Sequence, residues 1–266
     1  MNKKTSVQYI PISIIIPCFN DHKAFSKTLE SIQAELKSAD EIIVVDSSKI
    51  KSDTKKILKR YNNLTIHYNW HRPNGVYFAQ NTGISRCTKQ WIQIINSGDT
   101  LTYGARKIIN DAITSNPDVE IHVFSQTSGV DGQYWCTYTP SDKGIWPHQS
   151  TIISKRTYDN HGSYDTRYKI VSDQVFLSKI RKTTRFKLYE HPLTYYDLKG
   201  ISSKINIQLS KELYILWRSL GCSHFMSFIK STILPATRVI MSMIVGDEKI
   251  IKIKALIKRN HRLAKK

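Results

Sequence analysis

The sequence lacks three patterns that would assign it to a familiar class of protein. Its four cysteines are widely spaced and form no Cys-x-x-Cys pair, which excludes a zinc cage and the disulfide framework of a small secreted domain. Neither Gly-x-Gly-x-x-Gly nor Gly-x-x-x-x-Gly-Lys-Ser/Thr occurs, so the dinucleotide and P-loop fingerprints are excluded. The sequence also contains no internal repeat and no low-complexity segment.

A clean apolar run is missing as well. A helix that spans a bilayer needs about 20 predominantly apolar residues, and the most apolar stretch, residues 225–246, is interrupted by Lys230, Pro235 and Arg238. The basic N-terminus is followed by no continuous apolar region and no small-residue cleavage site, unlike a signal peptide. Together with the unpaired cysteines, these features predict a cytoplasmic protein.

Acidic residues are scarce, with 21 against 40 basic residues and a formal net charge of +19. Residues 201–266 contain 13 basic and 3 acidic side chains, a net charge of +10, and residues 249–266 contain eight basic side chains and no acid. Apolar residues recur between these charges at helical spacing, as at Leu213, Leu216 and Leu220. We expect residues 204–266 to form a basic amphipathic helical region. It either packs on the body of the protein or docks on an anionic membrane surface.

The rest of the chain has enough apolar material for a large core, with 40% hydrophobic and 10% aromatic residues. β-Branched runs alternate with stretches of helical spacing. The predicted strands are residues 13–16, 41–45, 64–68, 91–95, 119–124, 151–153, 186–189 and 193–196. The predicted helices are residues 22–36, 76–87, 103–114, 172–180 and one that Ser52 or Asp53 caps and that ends at Tyr61. This alternation predicts an α/β fold with a mostly parallel central sheet and helices on both faces.

Polar residues follow three of the predicted strands. Pro17, Cys18, Phe19 and Asn20 follow the first, Asp46 follows the second, and Asn96, Ser97, Gly98 and Asp99 follow the strand at residues 91–95. Ligands of open α/β sheets bind beyond the carboxyl ends of the strands. We therefore expect these three segments to meet in one crevice.

These segments resemble the inverting family 2 glycosyltransferases, which have the GT-A fold. The resemblance covers residues 12–203 and depends on the order and spacing of its segments: residues 13–20, 41–46, 74–75, 81–84, 91–99 and 168–173. It implies a GT-A nucleotide-diphospho-sugar transferase domain over residues 1–203. The implied activity is sugar transfer, with inversion, from a nucleotide-sugar donor to a saccharide or lipid-linked acceptor in surface polysaccharide or lipopolysaccharide assembly.

A UDP-sugar is the expected donor, because it is the most frequent in the family. GDP- and dTDP-sugars stay open, because residues 47–54 lack the Gly-Ser-x-Asp-x-Thr turn that usually follows the position of Asp46. The resemblance assigns a group of residues to nucleotide or donor binding: Pro17, Phe19, Asn20, Asp46, Arg72, Asn74, Gly75, Asn81, Ser97 and Gly98. Asp46 also suits a helix N-cap, and Arg72 also suits an exposed loop.

The resemblance also places the chemistry. Asp173 matches the base that accepts the proton of the acceptor hydroxyl, and Asp99 matches a ligand of Mg²⁺ or Mn²⁺, which would neutralise the leaving diphosphate. Each of these two carboxylates has an alternative role as a helix cap. His148 and Gln149 are expected in the acceptor or sugar pocket, where a lone histidine is also compatible with a structural role. Asp165 is expected to be structural.

The competing function is a non-catalytic basic α/β protein that binds a polyanion or a membrane surface. Its net charge permits this function. However, no nucleic-acid module is present, and Asp46, Asp99 and Asp173 would repel a phosphate backbone, so no nucleic-acid partner is predicted. A family member without catalysis is a third possibility, because the segment 96–99 has a single acid. The expected location is cytoplasmic, with peripheral attachment at the inner face of the membrane through the C-terminal tail.

Overall fold

The computed structural model describes residues 9–130, 133–142, 144–198 and 207–237. Within these residues, nine strands form one sheet: β1 (Ile12–Cys18), β2 (Glu41–Asp46), β3 (Ile66–Trp70), β4 (Trp91–Ile94), β5 (Thr100–Leu101), β6 (Ile121–Val130), β7 (Gln133–Tyr138), β8 (Thr151–Ser154) and β9 (Phe186–Asp197). The helices are α1 (His22–Glu35), α2 (Lys51–Leu58), α3 (Val76–Arg86), α4 (Ala105–Ser115), α5 (Lys155–His161), α6 (Ser172–Ile180), α7 (Ile207–Ser219) and α8 (His224–Phe228). Two 3₁₀ helices (Lys59–Tyr61 and His148–Ser150) and a π-helix (Ile229–Ile233) complete the described elements.

The strand order is β3-β2-β1-β4-β8-β6-β9-β5, with β7 paired to β6. Strands β3, β2, β1 and β4 are parallel to one another, and β6 is parallel to β9, whereas β8 is antiparallel to both β4 and β6. In the register, Cys18 pairs with Asp46, and Asp46 pairs with Trp70. The carboxyl ends of β1, β2 and β3 therefore lie side by side.

Alternation along β1 shows why helices cover both faces of the sheet. Ile14 and Ile16 belong to a buried cluster with residues of α1 and α4, while Ile15 belongs to a second cluster with residues of α3 and α6. At Gly83 of α3, an added Cβ would lie 2.4 Å from Cγ2 of Ile15, so only glycine allows this close packing of helix on strand. The predicted mostly parallel sheet with helices on both faces is confirmed.

Several local predictions were wrong. Helix α2 begins at Lys51 with Ile50 at its N-cap position, so Ser52 and Asp53 lie inside the first turn and do not cap it. The strands predicted at residues 186–189 and 193–196 are one strand, β9, because its pairing with β6 shifts register near Ser125 and lets it continue through Pro192. Strand β5 and helix α5 were not predicted from the sequence.

The described part of the C-terminal region is helical and packs on the body. Leu209 and Leu216 of α7 form a buried cluster with Val171, which directly precedes α6. Residues 199–206 and the basic stretch 249–266 lie outside the described residues. In the part of the chain that is described, no helix is both long and apolar enough to cross a membrane. All four cysteines are free thiols.

Candidate functional site

The predicted base, Asp173, is buried in the first turn of α6. One of its oxygens lies 2.8 Å from Nδ1 of His148 and accepts a hydrogen bond from Nε2 of Gln174. The other lies 2.7 Å from the hydroxyl of Tyr77. Burial alone would raise the pKa of Asp173, but the electrostatic interaction with His148 and these hydrogen bonds outweigh it and hold the pKa below its usual value. The carboxylate therefore accepts from side chains, and Val171 occupies the N-cap position of α6.

A chain of polar side chains continues from His148 to the end of β4. Nε2 of His148 lies 3.3 Å from Nδ2 of Asn96, and Oδ1 of Asn96 accepts a hydrogen bond from Nε2 of Gln80. With these amide orientations, Nε2 of His148 accepts, so Nδ1 carries the proton and donates it to Asp173. Oε1 of Gln80 is buried without a partner. The amides thus set the tautomer of His148.

Asp99 is buried just beyond β4. Its Oδ1 accepts a hydrogen bond from the backbone N–H of Asp197, and its Oδ2 accepts one from Nε2 of Gln149. Burial raises the pKa of Asp99 to about 7, and the negative charge of Asp197 acts in the same direction. Gly104, with φ of 76°, occupies the N-cap position of α4, so Asp99 does not cap that helix.

The local chemistry of Asp99 fits a divalent cation. A buried carboxylate with a raised pKa beside a second acid is stabilised by a nearby cation, and carboxylate oxygens suit Mg²⁺ and Mn²⁺. The second acid, Asp197, comes from the end of β9 and was missed by the sequence analysis. Across the described residues, no three side chains of His, Cys, Asp or Glu form a metal-binding group. A cation here would therefore need further oxygen ligands from a bound diphosphate or from water.

Asp46 and Asn20 shape the loop at residues 47–49. Asp46 is fully buried, and its two oxygens accept hydrogen bonds from the backbone N–H of Ser48 and the hydroxyl of Tyr68, each at 2.8 Å. Asn20, with a positive φ of 55°, accepts from the N–H of Lys49 and donates its own N–H to Ser48. The Asp46 carboxylate has no free surface in this arrangement, so its observed contacts are with the loop at residues 47–49 and with Tyr68.

The other predicted donor residues divide into three groups. Ser97 donates to the carbonyl of Pro17, and Gly98, with φ of 104°, donates to Thr28, so these residues fix the loop after β4 against the end of β1. Phe19, Arg72, Asn74 and Gly75 are exposed at the same edge of the sheet. Asn81 instead bonds the backbone N–H and carbonyl of Tyr164. These bonds give Asn81 a structural role in place of the predicted donor contact.

Gln149 and Asp165 make hydrogen bonds that connect neighbouring segments of the candidate site. Gln149 is buried, and besides its bond to Asp99 it accepts from Gln126, so it lies under the predicted sugar pocket and does not line it openly. Asp165 pairs with Arg167 in the turn before α6, and its carbonyl accepts from the hydroxyl of Ser172. These contacts agree with the structural role that was predicted for Asp165.

Glu212, a buried residue of α7, holds the backbone before α6, a role that was not predicted from the sequence. Its carboxylate accepts hydrogen bonds from three consecutive backbone N–H groups, at residues 169, 170 and 171, over 2.8, 2.9 and 3.1 Å. These residues lead directly into the turn that carries Asp173. One signal was available, because Glu212 is the only acid between residues 201 and 237.

Comparisons with known proteins agree with the overall fold. The structure of TarS residues 1–349 of S. aureus with UDP-GlcNAc is similar, with a TM-score of 0.67 and 16% identity, over 92% of this chain and 79% of that one. The mannosyltransferase PcManGT from Pyrobaculum calidifontis, in complex with GDP-Man and Mn²⁺, has a TM-score of 0.61 and 13% identity, over 93% of this chain and 86% of that one. A comparison of the sequence with curated proteins finds no match.

At these identities the two structures establish the fold, which is the GT-A fold that the resemblance implied. The family follows from a separate comparison of the sequence with family models. Residues 13–189, well over half of the chain, match the model of glycosyl transferase family 2. The chain is therefore a glycosyltransferase that belongs to family 2.

Proposed function

We propose that this glycosyltransferase moves one sugar from a nucleotide-diphosphate donor to a saccharide or lipid-linked acceptor, with inversion at the anomeric carbon. The acceptor oxygen forms a bond to that carbon while the bond from the carbon to the diphosphate oxygen breaks. The nucleoside diphosphate leaves, and the acceptor hydroxyl loses its proton. The observation that carries the proposal is the pair of Asp173 and His148, linked through Asn96 to the segment that ends at Asp99.

Asp173 is the proposed base of this reaction. Its pKa lies below the usual value because of His148 and its hydrogen bonds, so the carboxylate is ionised at neutral pH and ready to accept a proton. His148 donates to it through Nδ1 and is proposed to orient it in the acceptor pocket. Inversion requires the base to act on the face of the sugar opposite the leaving group.

Asp99 and Asp197 are the proposed protein ligands of Mg²⁺ or Mn²⁺. When bound, the ion would neutralise the charge that develops on the leaving diphosphate. The two acids supply hard oxygen ligands at the edge of the sheet where Ser97 and Gly98 form the loop. The Mn²⁺ in the complex of the structurally similar mannosyltransferase supports a divalent ion.

A UDP-sugar is the proposed donor. TarS, which has a similar fold, is known in complexes with UDP and UDP-GlcNAc, whereas the mannosyltransferase binds GDP-Man. The base and ribose are proposed to contact Phe19 and the loop that Asp46 and Asn20 hold. Arg72 and the open N-terminus of α3 at Gly75, which has no side-chain cap, are proposed to bind the diphosphate, because helix N-termini and arginine both favour anions.

The acceptor is proposed to belong to bacterial surface polysaccharide or lipopolysaccharide assembly at the cytoplasmic face of the membrane. Residues 1–203 would form the catalytic domain and residues 204–266 a basic C-terminal region. The eight basic side chains of residues 249–266 support attachment to an anionic membrane surface.

A thermal-shift panel with UDP, GDP, dTDP and CMP, each with and without Mn²⁺, tests the proposal. A nucleotide at 100 times its dissociation constant adds about 2.7 kcal/mol to the free energy of unfolding, which raises the melting temperature by roughly 5 to 10 °C in a protein of this size. We expect UDP with Mn²⁺ to give the largest shift and the UDP-sugar to be hydrolysed slowly. No shift with any nucleotide, with or without Mn²⁺, would favour the non-catalytic polyanion-binding alternative.

A further inference from the structure

In the helical segment from α8 to the end of the π-helix, small polar side chains are buried and most of the large apolar side chains are exposed. Its buried positions are two serines, Ser227 and Ser231, on the side that packs against α7. Five large apolar side chains in this segment or directly after it are exposed: Phe225, Met226, Phe228, Ile233 and Leu234. Phe225 is 72% exposed and Phe228 is 50% exposed. A surface helix of a globular protein normally buries its apolar side. The exposed apolar side of this segment therefore suits contact with a surface outside the described residues.

A groove beside this segment extends the apolar surface. It encloses about 740 Å³ and lies between α7 and the π-helix. Ile207, Tyr214 and Ile215 line it from α7, and Phe228 lines it from α8. Ile207 and Ile215 are themselves exposed. Apolar patches of this kind on soluble proteins mark sites of protein or membrane interaction.

The outward-facing charged side chains of residues 207–237 are all basic. Residues 207–237 contain the basic side chains Lys211, Arg218 and Lys230 and a single acid, Glu212. Glu212 is buried, and its carboxylate is engaged with the backbone at residues 169–171. No carboxylate of this segment therefore faces outward. Lys230 holds its amine 4.2 Å from the centre of the Trp217 ring of α7.

We propose that this face, formed by Phe225, Met226, Phe228, Ile233 and Leu234, inserts into the surface of an anionic lipid bilayer. Apolar side chains enter the boundary between headgroups and acyl chains, and the flanking cations meet the anionic headgroups. A second copy of the chain fits this face poorly, because each copy has a net charge of +19 and the cations around the patch would repel their equivalents. The docking face extends the proposed function, whose lipid-linked acceptor would lie in the same bilayer.

Sedimentation of the full-length protein with vesicles tests the proposal. The probes are vesicles of phosphatidylglycerol with phosphatidylcholine, and vesicles of phosphatidylcholine alone. We expect wild type to sediment with the anionic vesicles and the double variant Phe225→Gln/Phe228→Gln to lose about tenfold or more of its apparent affinity. Tyr103→Gln is the matched control, because Tyr103 is a 98% exposed aromatic residue outside this segment, and it should bind like wild type.

Two further measurements test whether the double variant is folded and whether the exposed face contacts a second copy of the chain. The thermal shift with the preferred nucleotide should be unchanged in the double variant, which shows that the variant is folded. If that shift is absent in wild type but the loss of vesicle binding is seen, the donor assignment fails while the docking face stands. Equal sedimentation of wild type and the double variant overturns the docking face. In that case, a dimer that the double variant dissociates in analytical ultracentrifugation assigns the face to a second copy of the chain.

Discussion

Nδ1 of His148 lies 2.8 Å from a carboxylate oxygen of Asp173, and the histidine is the more exposed partner, at 14% against 7% of side-chain surface. This contact with His148 helps to hold the pKa of the buried Asp173 carboxyl below its usual value. In the proposed reaction, the acceptor's proton would pass to a carboxylate that already lies within hydrogen-bond distance of Tyr77 and Gln174.

Asp173→Asn should lower sugar transfer by about 10²- to 10⁴-fold, because the amide cannot accept the acceptor's proton. The affinity for UDP should stay within a few-fold of wild type. Asp165→Asn is the control, since Asp165 lies in the preceding turn and pairs with Arg167. Turnover with the true acceptor and UDP affinity should be measured on the same preparations. Near-normal transfer by Asp173→Asn would remove Asp173 from the mechanism.

His148→Asn should shift the pH dependence of kcat/KM. Without His148, burial is the dominant influence on Asp173 and its pKa rises. The base must be ionised to act, so the acidic limb of the profile should move to higher pH. His161→Asn, which alters a histidine at the end of α5, should leave the limb in place. An acidic limb at the same pH in His148→Asn and wild type would contradict the coupling.

Asp99→Ala should abolish the Mn²⁺ dependence of nucleotide binding and most turnover. Asp197→Asn should raise the half-saturating concentration of Mn²⁺ for donor hydrolysis by about tenfold or more, a change typical of lost support in a metal site. Asp111→Asn, an exposed acid on α4 paired with Lys107, is the control and should titrate like wild type. Normal metal dependence in both Asp99→Ala and Asp197→Asn would show that neither residue binds the ion.

Asp99→Asn should also change how stability depends on pH in the presence of EDTA. The pKa of Asp99 is raised from 3.8 to about 7 in the folded protein, so the folded state holds this proton over a range where the unfolded state has released it. The free energy of unfolding should then fall as pH rises from about 4 to about 7, by on the order of 4 kcal/mol from this group. Urea denaturation at several pH values should show a flatter dependence in Asp99→Asn than in wild type. Parallel curves would contradict the raised pKa.

Deletion of residues 249–266 should weaken binding to anionic vesicles, because the segment holds eight basic side chains and no acid. Added salt should weaken wild-type binding in the same way, since exposed charges are screened. Hydrolysis of the soluble donor should change little. Equal sedimentation of the full-length and shortened proteins, at low and high salt, would reject a role for this tail.

The sequence predicts those parts of the fold that depend on local pattern. The alternation of β-branched runs and helical spacing identified β1, α1, β2, α3 and β4, and it placed the polar residues at the edge of the sheet where β1, β2 and β3 end side by side. The prediction of two strands in place of β9 has a local cause. Pro192 reads as a breaker, and only the pairing of β9 with β6 shows that the strand continues past it. Helix α5 was missed because its short charged sequence has no apolar period.

In the candidate site, too, residues were predicted where the signal lies within one segment, and contacts between distant segments were not. Asp99 was identified from its own segment, but the second acid, Asp197, lies 98 residues further along the chain. The partnership of Tyr77 with Asp173 spans 96 residues. Contacts at this separation depend on how β9 and α6 pack against the sheet, which no spacing rule in a single sequence encodes.

The hydrogen bonds of Glu212 have a consequence for the modularity of the enzyme. The match to the family model ends at residue 189, yet the backbone that leads into Asp173 is held by a carboxylate 23 residues beyond that limit. A chimera joined at residue 203 would leave three N–H groups without their acceptor unless the incoming helix supplied one, and buried N–H groups of this kind are costly to leave unpaired. Exchange of C-terminal regions between relatives is therefore restricted to those whose first helix carries an acceptor at the matching turn.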